Sequence, residues 1–300
     1  MCQIDPMNWL NYHHLMYFKA IATEGSISKA SEKLLVGQPA LSAQLKQLEE
    51  AFGKQLFERR NRKLFLTDAG KIALRYANQI HSLGTELQTV LGDQSLSIKP
   101  HIQLGALDSV PKSLVVKLVE WARRNFDCHV TLLDGTGDSL YRQLDSFSID
   151  LVLSDHHIVP AQEGKSIQTR SIGKVPISIY SSEKFEGLKE QFPSSISGQP
   201  LVVPTKHSKL RHDLDHYFET HNITPNIVAE TQDTTTQKLL AADSYGLIAE
   251  PHFAVKHYVK EGKLIKLGRL AGVYEEFFLI SNKRVIENPV AIRLMNEFKL

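Results

Sequence analysis

The 300-residue sequence predicts an α plus α/β protein: a small helical N-terminal domain, a long linker helix and a larger two-lobed α/β domain. Apolar residues recur at helical spacing almost throughout residues 1–92. From residue 100 onward, short apolar strands alternate with amphipathic helices, which favours βαβ units and mostly parallel sheets. We expect domains at residues 1–66, 67–92 and 100–300, with a first lobe at 100–160 and 268–300 and a second at 161–267.

Composition excludes several classes of protein. No run approaches 18 consecutive apolar residues, which excludes a transmembrane helix, and the first 30 residues lack the pattern of a secretory signal. The only cysteines are Cys2 and Cys128, so we expect no disulfide framework and a cytoplasmic location. Residues 1–6 have no periodic pattern, so we expect them to be disordered and dispensable, and either Met1 or Met7 is the natural start.

The first two helices are predicted from one apolar stripe and its ending. Leu15, Phe18 and Ile21 recur every three residues within Tyr12–Ala22, and Gly25 ends this helix. Ser26 is a suitable N-cap for a second helix over Ile27–Leu35, which a short turn containing Gly37 follows.

The third helix begins at Gln38 and Pro39 and has the character of a recognition helix. Its buried face is expected to hold apolar residues spaced by three and four, at Leu41, Leu45, Leu48 and Phe52. Ser42 and Lys46 lie elsewhere on it. In the DNA major groove a Gln side chain can bond adenine and a Ser side chain can bond most bases, so the pattern favours a helix-turn-helix. From periodicity alone a plain helical bundle remains the alternative.

A basic turn follows, between two short apolar runs, and predicts a small hairpin that forms a wing. Arg59, Arg60 and Arg62 lie in it and can reach phosphates or a narrow minor groove. Residues 1–92 carry eleven Lys and Arg against eight Asp and Glu, although the whole chain has a net charge of only +2. On charge alone, a solvated loop is as plausible as a phosphate contact.

The N-terminal pattern resembles the LysR-type transcriptional regulators. The matching residues are Gly25-Ser26, Ala30, Leu34, Gln38-Pro39-Ala40-Leu41-Ser42, Gln44, Leu48-Glu49, Gly53, Leu56-Phe57, Arg59, Arg62, Leu66-Thr67 and Ala69-Gly70. The resemblance implies a winged helix-turn-helix with DNA contacts at Gln38, Pro39, Ser42 and Arg62. Ala43 stands where most relatives carry arginine, which removes one contact and puts the usual operator preference in doubt.

The linker helix starts at Thr67 and carries a heptad pattern. Its apolar positions alternate in steps of four and three, at Ala69, Ala73, Tyr76, Ile80, Leu83, Leu87 and Val90. Packing against its own domain is one interpretation. The length of the pattern favours a helix-helix homodimer, which would match two operator half-sites, and the family resemblance adds a homotetramer.

The resemblance further implies that the last 200 residues form a two-lobed domain like a periplasmic solute-binding protein, with its effector between the lobes. In such sheets ligands bind beyond the carboxyl ends of strands. The polar residues expected there are Asp108, Ser109, Asp134, Thr136, Asp138, Ser154, Asp155, His156, His157, Thr205, Lys206, His207, Ser208, Thr231, Gln232, Asp233 and Glu250. By resemblance the effector touches Ser109, Thr136 and Thr205, although each is equally consistent with a simple helix cap.

Shorter matches resemble the activators of bacterial sodium/proton antiporter genes. They are Asn11-Tyr12-His13-His14-Leu15, Ala43, Arg75-Tyr76-Ala77, Ser154-Asp155, Ile172-Gly173 and Leu201-Val202-Val203-Pro204. This implies a response to sodium or pH. Asp108, Asp134, Asp138 and Asp155 all follow strands of the first lobe and are the candidate ligands, because sodium prefers oxygen ligands; solvated or capping aspartates are the alternative interpretation. The alternative is an organic anion held by Thr205, Lys206 and His207, in a regulator of a metabolic operon.

No motif of an enzyme is present: neither a glycine-rich nucleotide loop, nor a nucleophile elbow, nor a His-Glu-x-x-His zinc motif. Cys128 stands alone in the predicted sensor domain, which disfavours a thiol switch. We therefore expect a transcriptional regulator, with no catalytic site, cofactor or metal cofactor and no membrane partner. The expected partners are double-stranded operator DNA, a second copy of the chain and a small effector, and an activator would also contact RNA polymerase.

Overall fold

The computed structural model describes residues 10–60, 63–92, 99–157, 167–283 and 287–300. The chain separates into two compact units, one built on the N-terminal helices and one that begins at Lys99. The segment expected to be dispensable, residues 1–6, lies outside the described residues. Within the described ranges, no helix has both the length and the apolar character needed to cross a membrane.

The N-terminal unit is a winged helix-turn-helix, as predicted. Its elements are α1 (Tyr12–Glu24), α2 (Ile27–Leu34), α3 (Gln38–Phe52), β1 (Phe57–Arg60), β2 (Lys63–Leu66) and α4 (Asp68–Gly92). Strands β1 and β2 pair antiparallel as a hairpin. The predicted apolar stripes form the core, in which Phe18, Ile21 and Leu41 are fully buried. Phe52 is the exception: it was expected on the buried face of α3 but is exposed, because it lies in the last turn of the helix.

Local backbone chemistry sets where these helices begin and end. The Asn11 side chain accepts hydrogen bonds from two backbone N–H groups and caps α1. Gly25 ends α1 in the left-handed conformation at φ 65°. Ser26 stands at the N-cap position of α2, but its side chain makes no capping hydrogen bond. Leu35 is the C-cap residue of α2 and adopts the left-handed conformation at φ 55°.

The wing and α4 are tied together at Thr67. Its backbone N–H donates to the Leu56 carbonyl oxygen at 3.0 Å, and its hydroxyl donates to the Gln55 carbonyl oxygen at 2.7 Å. The same hydroxyl accepts from the Gly70 N–H at 3.0 Å, which caps α4 as expected. Gly70 then packs directly against the Leu56 backbone.

The heptad residues of α4 divide between two faces. Ala69, Ala73 and Ile80 pack against the core of their own unit, so for them packing within the domain is the correct interpretation. The second face stays exposed and is formed by Ile72, Tyr76, Leu83 and Leu87. The Val90 side chain lies outside the described residues.

The second unit contains the α/β elements. They are β3 (His101–Leu107), α5 (Lys112–Asn125), β4 (His129–Gly135), α6 (Gly137–Asp145), β5 (Leu151–Ser154), β6 (Ile167–Ser181), β7 (Pro200–Val203), α7 (Lys209–Thr220), β8 (Asn226–Glu230), α8 (Thr234–Ala242), β9 (Ile248–Pro251), α9 (His252–Lys260), β10 (Ile265–Asn282) and α10 (Pro289–Glu297). Two short 3-10 helices, Glu183–Lys189 and Ser194–Ile196, lie between β6 and β7.

Strand direction departs from the expectation of mostly parallel sheets. The main sheet has the order β4-β3-β5-β10-β6-β9, in which β3 is parallel to β4 and β5. Strand β10 runs antiparallel to β5 and β6, and β9 runs antiparallel to β6. The expectation was wrong here because the long strands β6 and β10 carry the chain between the lobes without an intervening helix.

Each lobe has its own core, and both long strands contribute to both cores. Ile172 of β6 and Phe277 of β10 belong to the first-lobe core, whereas Ile177 and Val273 belong to the second. The expected lobe limit at residue 268 therefore falls inside β10, several residues before this strand passes from the second-lobe core to the first-lobe core between Val273 and Phe277. The limit expected at 160–161 lies outside the described residues.

Gly70→Ala should destabilise the N-terminal unit by about 1–3 kcal/mol, because a Cβ there would overlap the Leu56 carbonyl oxygen and the wing would have to shift. Gly84→Ala is the matched control in the same helix, since its Cβ meets only the tip of the Tyr12 side chain. We expect that control to be neutral or stabilising by up to ~1 kcal/mol. Equal stability of the two variants in urea denaturation would contradict the proposed close packing.

Candidate functional site

The first candidate surface is an exposed ridge on α3. Gln38 and Pro39 form the exposed first turn, and Lys46 is also exposed, while Ser42 is half-buried. Gln38, Ser42 and Lys46 are spaced by four residues and therefore follow one ridge of the helix. Lys46 Nζ lies 3.6 Å from Glu50 Oε1, a weak ion pair that leaves the ammonium accessible.

A buried carboxylate fixes the wing relative to this ridge. Glu49 Oε1 accepts hydrogen bonds from the backbone N–H of Leu56 at 2.7 Å and of Phe57 at 3.3 Å. Glu49 is only 9 % exposed, so these bonds form away from bulk water and hold β1 against α3. The sequence motif included Glu49, but its positioning role emerges only from the structure.

The structure places part of the predicted basic wing. Arg59 lies on β1 with an exposed side chain, and Arg60 ends that strand. The Arg60 side chain and the whole of Arg62 lie outside the described residues.

In the second unit, the ends of β3 and β4 lie side by side. The Asp108 N–H donates to the Gly135 carbonyl oxygen at 3.3 Å, which brings half-buried Asp108 and Ser109 near Thr136. Thr136 is exposed, and its carbonyl oxygen accepts from the first turn of α6. Asp134 pairs with Lys112 at 2.5 Å and is thereby neutralised.

The end of β5 holds a buried polar network. Asp155 is 6 % exposed, and its Oδ1 lies 2.7 Å from His156 Nδ1. The Tyr141 hydroxyl is 3.3 Å from both Ser154 Oγ and His156 Nε2. The hydrogen bond to Asp155 raises the pKa of His156, and burial raises the pKa of Tyr141.

The loop after β7 carries the residues expected to hold an organic anion. Thr205 is half-buried and its Oγ1 accepts from Gln232 Nε2 at 2.9 Å, while Lys206 and His207 are exposed. Behind the loop, buried Arg211 donates to the Pro204 carbonyl oxygen and is paired with Asp215 and Glu230. The Arg211 charge is therefore already neutralised by carboxylates of the chain.

The four first-lobe aspartates after strands do not assemble into one chelate. Asp134 is paired with Lys112 and Asp155 with His156. Within the described part of the chain, no group of three or more His, Cys, Asp or Glu side chains is arranged to hold a metal ion.

A different group of carboxylates is buried near the crossing of the long strands. We call Asp155, Glu250 and Glu275 the acidic cluster; Glu250 ends β9 and is 2 % exposed, and Glu275 lies in β10 and is 8 % exposed. Burial raises the pKa of Glu250 to about 7, opposed by Lys238. Burial, Glu250 and Asp155 together raise the pKa of Glu275 well above its usual range.

The sequence identified Glu250 as a strand-end residue but missed Glu275, because β10 was not predicted. The signal that could have identified Glu275 is the period of two along β10. Every second residue of this segment is buried, namely Val273, Glu275, Phe277 and Leu279. A carboxylate in place of an apolar residue in such a series indicates a site rather than a surface.

Two family models match the chain. Residues 12–71 match the bacterial regulatory helix-turn-helix protein, lysR family, and residues 97–299 match the LysR substrate binding domain.

Individual relatives match over most of the chain. The transcriptional activator protein NhaR of Escherichia coli is 25 % identical over 97 % of this chain and 95 % of its own. The HTH-type transcriptional activator CmpR of Synechocystis is 26 % identical over 78 % and 77 %. The crystal structure of ArgP from Mycobacterium tuberculosis has a TM-score of 0.63 at 18 % identity, covering 96 % of each chain, which supports the fold.

Asp155→Asn should lower the pKa of His156, because the carboxylate that accepts its hydrogen bond is lost. In the native protein the Asp155–His156 pair stabilises the fold below about pH 6.5, and this contribution is lost as pH rises through the raised pKa. NMR titration of the His156 ring measures the change, with Asp138→Asn as the control expected to leave it unaltered. An unchanged His156 titration in Asp155→Asn would show that the pair does not form in solution.

Proposed function

The chain belongs to the LysR family of bacterial transcriptional regulators, and from this premise we propose that it activates genes for cation/proton antiport in response to sodium or pH. In this proposal a homodimer, or a homotetramer built from it, binds paired half-sites in double-stranded DNA through α3 and the wing. Binding to chromosomal DNA implies a cytoplasmic location and, for an activator, contact with RNA polymerase.

The α3 ridge supports the DNA-binding part of the proposal. Gln38, Ser42 and Lys46 present amide, hydroxyl and ammonium groups along one line, at the spacing that fits a major groove. Glu49 holds the wing at a fixed position beside them. Arg59 can therefore contact the phosphate backbone of the DNA while α3 contacts the bases. This fixed pairing of ridge and wing is the observation that carries the DNA-binding proposal.

The exposed face of α4 supports a homodimer. Ile72, Tyr76, Leu83 and Leu87 step by four, seven and four residues, which is a coiled-coil seam with no cover in the described chain. The face adjoins an apolar groove of 410 Å³ lined by Leu10, Leu15, Phe52, Lys54, Leu56, Ala69, Ile72, Ala73, Tyr76 and Ile80. A second α4 is the occupant we propose, because a dimer also supplies the two-fold symmetry of paired half-sites.

The proposed signal rests on the resemblance to antiporter activators and on the charge of the effector unit. Three carboxylates are buried in the acidic cluster, which disfavours an anionic ligand beside it. The competing effector, an organic anion at Thr205, Lys206 and His207, would find one exposed ammonium and one exposed imidazole. It would gain nothing from Arg211, because Asp215 and Glu230 already pair with that guanidinium.

Gln38→Ala and Ser42→Ala should each weaken binding to the specific operator by about 1–3 kcal/mol and barely affect random DNA, because base contacts carry specificity. Operators would be obtained by selection from random-sequence DNA, and affinity measured against salt concentration. Arg62→Ala should weaken binding to both kinds of DNA and flatten the salt dependence. Gln191→Ala, an exposed glutamine of the second unit, is the control. A uniform loss on both DNAs from Gln38→Ala would assign Gln38 to backbone positioning instead.

Leu83→Asp combined with Leu87→Asp should disrupt the dimer, because charges would be buried in the seam. Sedimentation should show a lighter species, and binding to paired half-sites should be lost together with it. Gln88→Asp places one such charge at the exposed position next to Leu87 and should leave the assembly intact. An unchanged oligomer in the double variant would refute the proposed interface.

A further inference from the structure

Ala43 occupies the middle of the outward face of α3. The buried side of this helix is formed by Leu41, Leu45 and Leu48, each of which is at most 7 % exposed. Since successive residues turn by about 100°, Ala43 lies roughly 170° around the helix axis from the mean direction of these three leucines. Its side chain is exposed, in agreement with that position. When α3 enters a groove with this face first, Ala43 is therefore the residue nearest the floor of the groove.

The ligand of this face is DNA, because the N-terminal unit is a helix-turn-helix of the LysR family. In this motif the second helix lies in the major groove, and its N-terminal residues contact the edges of the bases. Here the second helix is α3, and Ala43 is its sixth residue, in the second turn. Ala43 thus falls within the part of the helix that contacts base edges.

Among the described residues, the neighbours of Ala43 on α3 do not cover its methyl group. Pro39 precedes it by one turn on the same face, is exposed and has no N–H group to donate. Lys46 lies on the next turn, but its ammonium is 3.6 Å from Glu50 Oε1 and is thereby directed toward the carboxyl end of the helix. Gln47 is also exposed, one turn further along. The centre of the outward face is therefore apolar, with the polar groups displaced to either side.

A methyl group can distinguish the base pairs of DNA in only one way. It neither donates nor accepts a hydrogen bond, so it gains nothing from the oxygen and nitrogen atoms that mark guanine and cytosine in the major groove. Covering those atoms with a methyl group would remove their water without replacing the hydrogen bonds. The apolar group on the major-groove edges is the C5-methyl group of thymine. An arginine, which most relatives carry at this position, could form two hydrogen bonds to guanine, whereas Ala43 favours thymine.

We propose that Ala43 is a specificity-determining residue, which selects one thymine in each operator half-site by contact between its methyl group and the C5-methyl group of that base. The inference rests on the proposed function in one respect, namely that α3 is the element that contacts the bases. The amide of Gln38 favours adenine. Together the two residues predict that A·T pairs face the first two turns of α3.

The test replaces thymine by uracil, which lacks only the C5-methyl group. An operator duplex is first selected from random-sequence DNA with the unaltered full chain. Each thymine of one half-site is then replaced in turn by deoxyuridine, and the dissociation constant is measured at one salt concentration. We expect at least one replacement to weaken binding roughly fourfold, which corresponds to the burial of one methyl group.

Ala43→Gly removes the methyl group on the protein side and should abolish the uracil effect at that thymine, so that both duplexes bind equally. Because the two duplexes are compared on the same variant, any loss of folded protein cancels in the ratio. Ala51→Gly is the matched control. Ala51 is an exposed alanine about two turns further along α3, and its replacement should leave the fourfold effect intact.

The proposal is overturned if every uracil effect is as large in Ala43→Gly as in the unaltered protein, or if no thymine methyl group contributes to binding. The Gln38→Ala variant separates this failure from a failure of the proposed DNA interface. If Gln38→Ala still weakens specific binding, α3 contacts the bases and only the role of Ala43 is wrong. If neither variant alters base preference, another element contacts the bases and the proposed interface is wrong as well.

Discussion

The pairing of β6 with β10 is the constraint on which the effector unit depends. The two strands run antiparallel from Ile265 opposite Ser181 to Asn282 opposite Ile167, and each passes through both lobes. Their hydrogen bonds make one sheet out of what would otherwise be two separate domains. Irregular register between Arg269 and Tyr274 lies just before the point of crossing, where a bend costs the fewest regular bonds.

Local signals predicted the N-terminal unit well and the long strands poorly. In the N-terminal unit, α1 ends at the glycine predicted to stop it, because Gly25 adopts the left-handed conformation at φ 65°. In contrast, β6 contains Gly173 and Pro176, which are residues that disfavour a strand. Its sequence therefore predicts a strand only over the last part of the observed element. Strand β10 contains glycines and a buried carboxylate, and its regularity comes from the partner strand rather than from its own sequence. The burial of Glu275 therefore depends on non-local pairing that a single sequence does not reveal.

Burying charge at the crossing has a thermodynamic cost that the surrounding cores must offset. Polar groups removed from water without partners destabilise a fold, and such groups persist mainly where they serve a function. In the first lobe Asp155 is satisfied by His156, whereas Glu250 Oε1 in the second has no partner among the described residues. The second lobe thus keeps a buried carboxylate oxygen whose desolvation no described residue offsets.

The bond from Thr67 to the wing has a mechanical consequence. Because Thr67 and Gly70 join the start of α4 to Gln55 and Leu56, helix and wing are expected to move as one rigid body. Helix α4 has 25 residues and is about 37 Å long at the usual rise per residue. The wing is attached to the N-terminal end of this helix. A displacement of about 3 Å at the C-terminal end would tilt the helix, and the wing with it, by roughly 5°. On a rigid duplex, such a tilt would change the distances between the wing arginines and the phosphates they face.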